Sequence, residues 1–188
     1  RLREGLAPLL GRSVFVTNGE EWQRQRRIID PAFEGGRLRE IFPQIWDASL
    51  AAANRLPAEG EIDLEPITSH AAADVIFRTL FSIPIEDRVA QAVFHKFRAY
   101  QRSAPILNLG AFLPLPRWMP RLHRRATLRA ARGIRGLIQG LTAERAAAIA
   151  EGRAPQDLAT KIMTTPDPVT GTPFGTAEMV DQVAIFFL

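Results

Sequence analysis

The chain has 188 residues, of which 46% are hydrophobic and 23% are charged. This balance is typical of a soluble globular protein and excludes collagen-like, low-complexity and disordered classes. Cysteine is absent, which excludes disulfides, cysteine-ligated zinc, iron–sulfur clusters and thiol nucleophiles within this chain. We see neither a leader-like segment nor an apolar run of about 18 residues, so we expect a cytoplasmic protein without a transmembrane segment.

The basic residues are unusual in kind. The formal net charge is +4, and because Lys96 and Lys161 are the two lysines among 24 basic residues, the other 22 are arginines. A GC-rich coding genome explains this bias. Residues 117–135 hold seven arginines and no acidic residue, which suggests either nucleic-acid binding or a solvated helix face. We favour the solvated face and predict no nucleic-acid partner, since no recognition-helix pair or aromatic stacking platform accompanies the charge.

Hydrophobic periodicity predicts an all-α chain with minor β structure, organised as one continuous unit. Asn18 and Glu21 form a capping-box pattern at the start of one helix, the Asp30-Pro31 pair ends that helix, and Thr176 is the predicted N-cap of the last one. Helices are predicted over residues 19–29, 37–56, 66–81, 87–100, 121–150, 157–163 and from 176 onward, with a short strand over 61–64 and a turn or small hairpin over 167–174.

Two further features concern the apolar residues. Residues 104–120 combine four prolines with many large apolar side chains, so we expect this segment to cover a core, a ligand or a membrane surface. The last predicted helix ends in an apolar run without a stop signal. We therefore expect a chain that is cut inside a helix, with a buried terminal helix or strand as the alternative.

Most familiar catalytic patterns are missing from the sequence. His70, His95 and His123 are far apart and lack metal-ligand spacing, so we interpret them as surface or core residues. The sequence contains no glycine-rich phosphate loop and no nucleophile elbow. We therefore predict no metal site and no catalytic residue in this chain.

One helix carries a pattern with chemical meaning. Trp22 and Arg26 are four residues apart and share a helix face, where an indole N–H and a guanidinium form a donor pair for a carboxylate. Arg24 and Arg27 lie on a neighbouring face and could present positive charge to solvent. The alternative is a tryptophan that anchors an amphipathic helix beside a snorkelling arginine.

The longer phrase Phe15-Val-Thr-Asn-Gly-Glu-Glu-Trp-x-x-x-Arg-Arg-x-x-x-Pro-Ala-Phe33 resembles the C-helix region of bacterial-type cytochrome P450 monooxygenases. Residues 61–64 are similar to the small strand before helix E of that family, 104–120 to its F–G loop, the arginine-rich helix to helix G, and 178–188 to the start of helix I. The resemblance implies part of the cytochrome P450 fold, from about helix B' to the start of helix I. It implies that residues 1–188 form a single partial domain that lacks the C-terminal haem-thiolate half.

The resemblance also implies roles for particular side chains. Trp22 and Arg26 correspond to donors for the propionates of haem b, and Arg24 and Arg27 to contacts for an electron donor, which would be a ferredoxin or a reductase.

Four apolar residues correspond to the substrate side of the family's pocket. Val14 and Phe15 match the loop beside an apolar small-molecule substrate, and Phe186 and Phe187 match the helix I wall. All four can equally be interpreted as core residues.

The departures from the family pattern limit what this chain can do. The family's oxygen-activating Ala-Gly-x-(Asp/Glu)-Thr segment would follow Leu188, and the cysteine that ligates the haem iron would lie further on. We therefore expect an intact protein that inserts one oxygen atom from O₂ into an apolar organic substrate, and a fragment that is inactive alone. The alternative is a self-contained helical module that binds or senses a small molecule without catalysis.

Overall fold

The computed structural model of this chain describes residues 2–103 and 125–187. These residues form α-helices joined by turns, and no β-strand occurs within them. The helices are α1 (Leu2–Leu10), α2 (Gly19–Ile29), α3 (Arg37–Ala53), α4 (Leu64–Phe81), α5 (Arg88–Ser103), α6 (Arg125–Ala150), α7 (Leu158–Thr164) and α8 (Thr176–Ile185), with a 3₁₀ turn at Asp30–Ala32.

The helical prediction is confirmed for most elements, and α2 ends where the Asp30-Pro31 pair predicts. The Asn18 side chain makes no capping hydrogen bond to α2. Glu21, the other half of the predicted capping box, instead accepts hydrogen bonds from the Arg12 guanidinium at 2.6 and 2.9 Å. A charged partner outside the helix therefore replaces the local capping contact.

The predicted strand over residues 61–64 is wrong. Leu64 is the first residue of α4, and the Asp63 side chain accepts a hydrogen bond from the Glu65 backbone N–H at 3.2 Å. An aspartate at the N-cap and Pro66 in the first turn both favour a helix start. These capping preferences prevail over four residues of alternating polarity, for which the described residues contain no second strand to pair with.

The boundaries of two other helices also differ from their predictions. Gly175, and not Thr176, is the N-cap of α8, and the Glu178 carboxylate accepts a hydrogen bond from the Gly175 N–H at 2.9 Å. Helix α3 ends at Ala53, before the predicted end at Leu56.

The core lies around α6, which packs against α1, α5, α7 and α8, while α3 packs on α4. The apolar residues Ile134, Ile138 and Leu141 of α6 are buried. These side chains join one continuous apolar cluster with residues of α4 and α8 such as Phe77 and Met179. Burial of this cluster is the main source of stability for the described residues.

Some predictions fall outside the described residues. The apolar segment 104–120 and the first residues of the predicted helix 121–150 lie there, together with three of the seven clustered arginines. Within residues 2–103 and 125–187, no helix has the length and hydrophobicity that a membrane span requires.

A buried ion pair connects three helices. The Arg145 guanidinium of α6 lies 2.7 Å from the Asp157 carboxylate at the start of α7, and the two side chains are 8% and 3% exposed. Arg145 also donates a hydrogen bond to the Phe81 carbonyl at the end of α4 at 2.6 Å, while Asp157 accepts from Ser82 and Thr160. Burial raises the pKa of Asp157 above its ordinary value. The hydrogen bonds satisfy both charges, as a buried pair requires.

We expect the Asp157→Ala substitution to lower the free energy of unfolding by about 3–5 kcal/mol, because it leaves the Arg145 charge buried without its partner. Equilibrium unfolding in denaturant measures this change. The control is Glu151→Ala, which breaks an exposed pair with Arg153 and should cost at most about 1 kcal/mol. Similar losses in the two variants would contradict the assigned role of the buried pair.

Candidate functional site

The predicted donor pair lies on the exposed side of α2. Trp22 is 42% exposed, and the guanidinium carbon of Arg26 lies 5.9 Å from the centroid of its ring. Arg26 Nε contacts a carboxylate oxygen of Asp30 at 3.0 Å, one turn further along the helix. The structure therefore brings the indole and the guanidinium together, and the guanidinium already binds a carboxylate.

The buried side of α2 attaches the helix to the loop that follows α1. Ile28 and Ile29 enter the core, and Gln25 is buried beside them. The Gln25 amide donates a hydrogen bond to the Arg12 carbonyl at 2.7 Å and accepts one from the Thr17 hydroxyl at 2.6 Å. These contacts fix the loop over residues 11–17 against α2.

Arg24 and Arg27 are engaged within the chain. Arg24 donates to a carboxylate oxygen of Glu178 at 2.7 Å and to the Pro173 carbonyl at 3.2 Å. Arg27 donates two hydrogen bonds to Asp167, at 2.6 and 3.1 Å. The expectation that both arginines present their charge to solvent is therefore wrong, because each is partly buried and paired. Their contact with an electron donor stays a prediction.

Asp167 is the most strongly held carboxylate at this site. Besides Arg27, it accepts hydrogen bonds from the Thr170 hydroxyl at 3.0 Å and from the backbone N–H groups of Val169 and Thr170. The hydrogen bond from Arg27 is the main reason that the pKa of Asp167 lies well below its ordinary value of 3.8. Asp167 therefore remains ionised throughout the physiological pH range.

Helix α8 holds the loop that carries Val14 and Phe15. The Gln182 side-chain oxygen accepts a hydrogen bond from the Val14 N–H at 2.9 Å. The Asp181 carboxylate accepts from the Arg12 N–H at 2.8 Å and from the Arg135 guanidinium at 2.6 Å. Val14 packs against the core, whereas Phe15 is exposed.

The two phenylalanines at the end of α8 differ in their surroundings. Phe187 is buried, and its ring lies 4.8 Å from that of Phe77 and 6.3 Å from that of Phe97. Phe186 is partly buried and stacks on Phe33, with ring centroids 6.2 Å apart. Phe187 is thus a core residue in the described structure, while Phe186 and Phe33 form an aromatic pair nearer the surface. The substrate-facing role of Phe186 and Phe187 stays a prediction.

Two of the histidines, His70 and His95, lie against the same ring, with centroids 5.6 and 5.7 Å from that of Phe94. The His70 ring contacts the Arg55 guanidinium at 2.6 Å, and burial followed by the Arg55 charge lowers its pKa. His95 is exposed on α5, and His123 lies outside the described residues. No cluster of three or more potential metal ligands occurs between residues 2 and 103 or between 125 and 187.

The resemblance of residues 15–33 to the cytochrome P450 family extends over the chain. A family model described as cytochrome P450 matches residues 3–188. The chain belongs to the cytochrome P450 family.

Individual relatives agree with this assignment. Cyclooctat-9-en-7-ol 5-monooxygenase of Streptomyces melanosporofaciens is 28% identical over 185 residues, which cover 96% of this chain and 38% of that protein. Cytochrome P450 72A15 of Arabidopsis thaliana is 24% identical over 203 residues, covering 97% of this chain and 37% of that protein. The relatives come from a bacterium and a plant, so a bacterial source stays a prediction.

The fold also agrees with membership of the cytochrome P450 family. The crystal structure of the cytochrome P450DA heme domain matches with a TM-score of 0.72 at 18% identity, over 100% of this chain and 41% of that one. At this identity the match shows the fold alone. The chain thus spans about two fifths of the length of the relatives it matches.

Membership of the cytochrome P450 family implies a haem group, whose propionates are carboxylates. The donor set of Trp22 and Arg26 fits such a group, because indole and guanidinium N–H groups donate to carboxylate oxygens. The Arg26 guanidinium pairs with the Asp30 carboxylate at 3.0 Å, so a propionate would share or replace that contact. The residues present are therefore compatible with a propionate on this side of α2.

Sequence reasoning missed the carboxylates and the amide that hold the site together. Asp167 and Glu178 bind arginines 140 and 154 residues earlier in the chain, and Asp181 and Gln182 hold the loop over residues 11–17. The sequence indicates these contacts only weakly, through acidic residues close to the start of a predicted helix.

We expect Gly11→Ala to destabilise the protein by more than the usual cost of a left-handed residue, which is about 1–3 kcal/mol. Gly11 has a φ of 53°, and an added Cβ would lie 2.2 Å from an Asp181 carboxylate oxygen. Thermal unfolding measures the loss. Gly35→Ala is the matched control, since its φ is 61° and nothing lies within 4 Å of the new Cβ. Equal losses would show that contact with Asp181 adds nothing.

The pair between Asp167 and Arg27 predicts an acid-sensitive contribution to stability. Because the folded state lowers the pKa of Asp167, the pair stabilises fully above the ordinary pKa of 3.8 and loses its effect as the pH falls towards the lowered value. The difference in unfolding free energy between wild type and Asp167→Asn should therefore be constant from neutral pH to about pH 5 and shrink below about pH 4. A difference that does not change with pH would contradict this account.

Proposed function

We propose that this chain is part of a haem monooxygenase that inserts one oxygen atom from O₂ into an apolar organic substrate. The observation that carries the proposal is the Trp22–Arg26 donor pair on the exposed side of α2, in a chain of the cytochrome P450 family. Trp22 and Arg26 would hold the propionates of haem b through their N–H groups. When bound, the haem would supply the oxygen chemistry, and this chain would orient it.

The exposed surface of α3 supports the proposal that residues 1–188 form part of a larger domain. Leu38, Phe42, Trp46 and Leu50 follow one another at intervals of four residues, and each is between 49% and 60% exposed. A large exposed apolar stripe of this kind marks a contact surface. Because the chain spans about two fifths of its relatives' length, we propose that further polypeptide of the same protein covers α3.

The proposed chemistry requires a ligand that these residues do not contain. The haem of this family would need a cysteine thiolate as a ligand to its iron for oxygen chemistry, and the 188 residues include no cysteine. We therefore propose that this chain is catalytically inactive alone and contributes binding and orientation within the intact protein.

For the substrate, we propose an apolar molecule that contacts the loop residues Val14 and Phe15 and the two residues that follow α8, Phe186 and Phe187. The exposed ring of Phe15 and the stacked ring of Phe186 support a contact surface. Phe187 follows Phe186 directly, and its ring packs against Phe77 and Phe97. The name of the Streptomyces relative, a monooxygenase of cyclooctat-9-en-7-ol, supports a substrate class of this kind.

For the electrons, we propose a ferredoxin or a reductase as the donor, in contact with Arg24 and Arg27. Both arginines keep part of their side chain exposed while paired with Glu178 and Asp167, so they could add hydrogen bonds to a partner.

In the full-length haem-containing protein, we expect Trp22→Phe and Arg26→Gln to weaken haem retention. Each removes a hydrogen bond to a charged group, which contributes about 1.5–3 kcal/mol and corresponds to a roughly 10- to 100-fold change in affinity. The rate of haem transfer to an excess of apomyoglobin measures the effect. Arg153→Gln, at an exposed pair with Glu151 after α6, should leave the rate unchanged. Unchanged rates in the two α2 variants would contradict the assignment of the donor pair.

The chain of 188 residues should behave differently when mixed with haemin. Because it lacks cysteine, its reduced carbon monoxide complex should not show the absorption band of a thiolate-ligated haem. Appearance of that band would contradict the proposal that this chain lacks the thiolate ligand and is inactive alone. A stoichiometric complex with an apolar small molecule in the absence of haem would instead favour the alternative of a self-contained binding module.

A further inference from the structure

Two ion pairs with residues 167–178 hold α2 from one side. Arg27 binds Asp167 with two hydrogen bonds, and Arg24 binds Glu178 at 2.7 Å. The acidic residues lie in the turn before α8 and in the first turn of that helix. The Arg24 guanidinium also lies 5.5 Å from the ring centroid of Phe174 in the same segment. Together with the hydrogen bond from Arg24 to the Pro173 carbonyl, four contacts connect one edge of α2 to residues 167–178.

The donor pair occupies the other edge of the same helix. Each residue of an α-helix is rotated by about 100° from the one before it. Arg24 and Arg27 therefore share one edge, Trp22 and Arg26 share another, and the midpoints of the two edges are about 150° apart. Gln25, whose side chain is buried, lies between them. The direction in which the donor pair points depends on how the opposite edge is held.

Both carboxylates are themselves fixed by other contacts. Asp167 accepts hydrogen bonds from Thr170 and Val169, and its own N–H donates to the Thr172 carbonyl at 3.0 Å. Glu178 uses its second oxygen to accept the Gly175 N–H at the start of α8. Since each acid is held by its local turn, the two pairs define a fixed position for α2.

We propose that Asp167 and Glu178 are positioning residues that set the rotation of α2 and thereby aim Trp22 and Arg26 at the carboxylates of the cofactor. This inference rests on the proposed function, in which the donor pair holds haem propionates. It assigns Arg24 and Arg27 a role inside the protein, in which their charge orients the helix. The two acids touch neither haem nor substrate in this account and act through the arginines.

The test uses the full-length haem-loaded protein with Asp167→Asn and Glu178→Gln. We expect haem transfer to apomyoglobin to accelerate roughly tenfold in each variant, as for substitutions that misorient the groups holding a cofactor. Glu151→Gln is the matched control, because Glu151 pairs with Arg153 at an exposed position after α6. That variant should transfer haem at the wild-type rate.

A charge exchange separates positioning from a general loss of stability. Arg24→Glu and Glu178→Arg should each accelerate haem transfer, and the double variant should recover most of the wild-type rate because the pair is restored in reverse. Glu178 suits this exchange since its side chain is 44% exposed. If Asp167→Asn fails to fold, the Glu178 variants still decide the question.

Wild-type transfer rates in Glu178→Gln, or no recovery in the double variant, would overturn the proposal. A failure of the proposed function has a different signature: Trp22→Phe and Arg26→Gln would then leave haem transfer unchanged, or the full-length protein would take up no haem.

Discussion

The pair between Arg27 and Asp167 connects two parts of the chain on which the rest of the site depends. Asp167 is buried, ionised and held by its own turn, so the guanidinium that binds it has a defined position. Because Arg27 lies on α2, this contact fixes the helix that carries the Trp22–Arg26 donor pair. A bidentate arginine–carboxylate contact sets orientation as well as distance, which a purely apolar contact would not do.

Helix α8 extends this arrangement to the other side of the site. Its Asp181 and Gln182 side chains accept backbone N–H groups of Arg12 and Val14, so the loop before α2 is held by the helix that α2 also contacts through Arg24. Helix α8 therefore positions both the donor pair and the loop that carries Phe15. In a cytochrome P450 this places the residues proposed for the haem and those proposed for the substrate in a fixed relation to each other.

Much of the fold follows from local patterns, whereas the contacts that organise the site do not. Apolar spacing predicts the helices well, as the buried Ile134 and Ile138 of α6 illustrate. Apolar spacing gives the wrong prediction at residues 61–64, where Asp63 at the N-cap starts a helix despite four residues of alternating polarity. The pairing of Arg27 with Asp167 bridges 140 residues, and no periodicity within either segment indicates it. The donor pair could be found because its two members are one helical turn apart and the surrounding phrase is specific.

We propose that Trp22 and Arg26 hold the propionates of a haem. The opposite edge of α2 is bound to Asp167 and Glu178. A crystal structure of the full-length haem-loaded protein measures this directly. We expect the Trp22 indole nitrogen and the Arg26 guanidinium within about 3 Å of propionate oxygens, with both ion pairs of α2 intact. Propionates bound by other residues, with Trp22 and Arg26 facing solvent, would contradict the account.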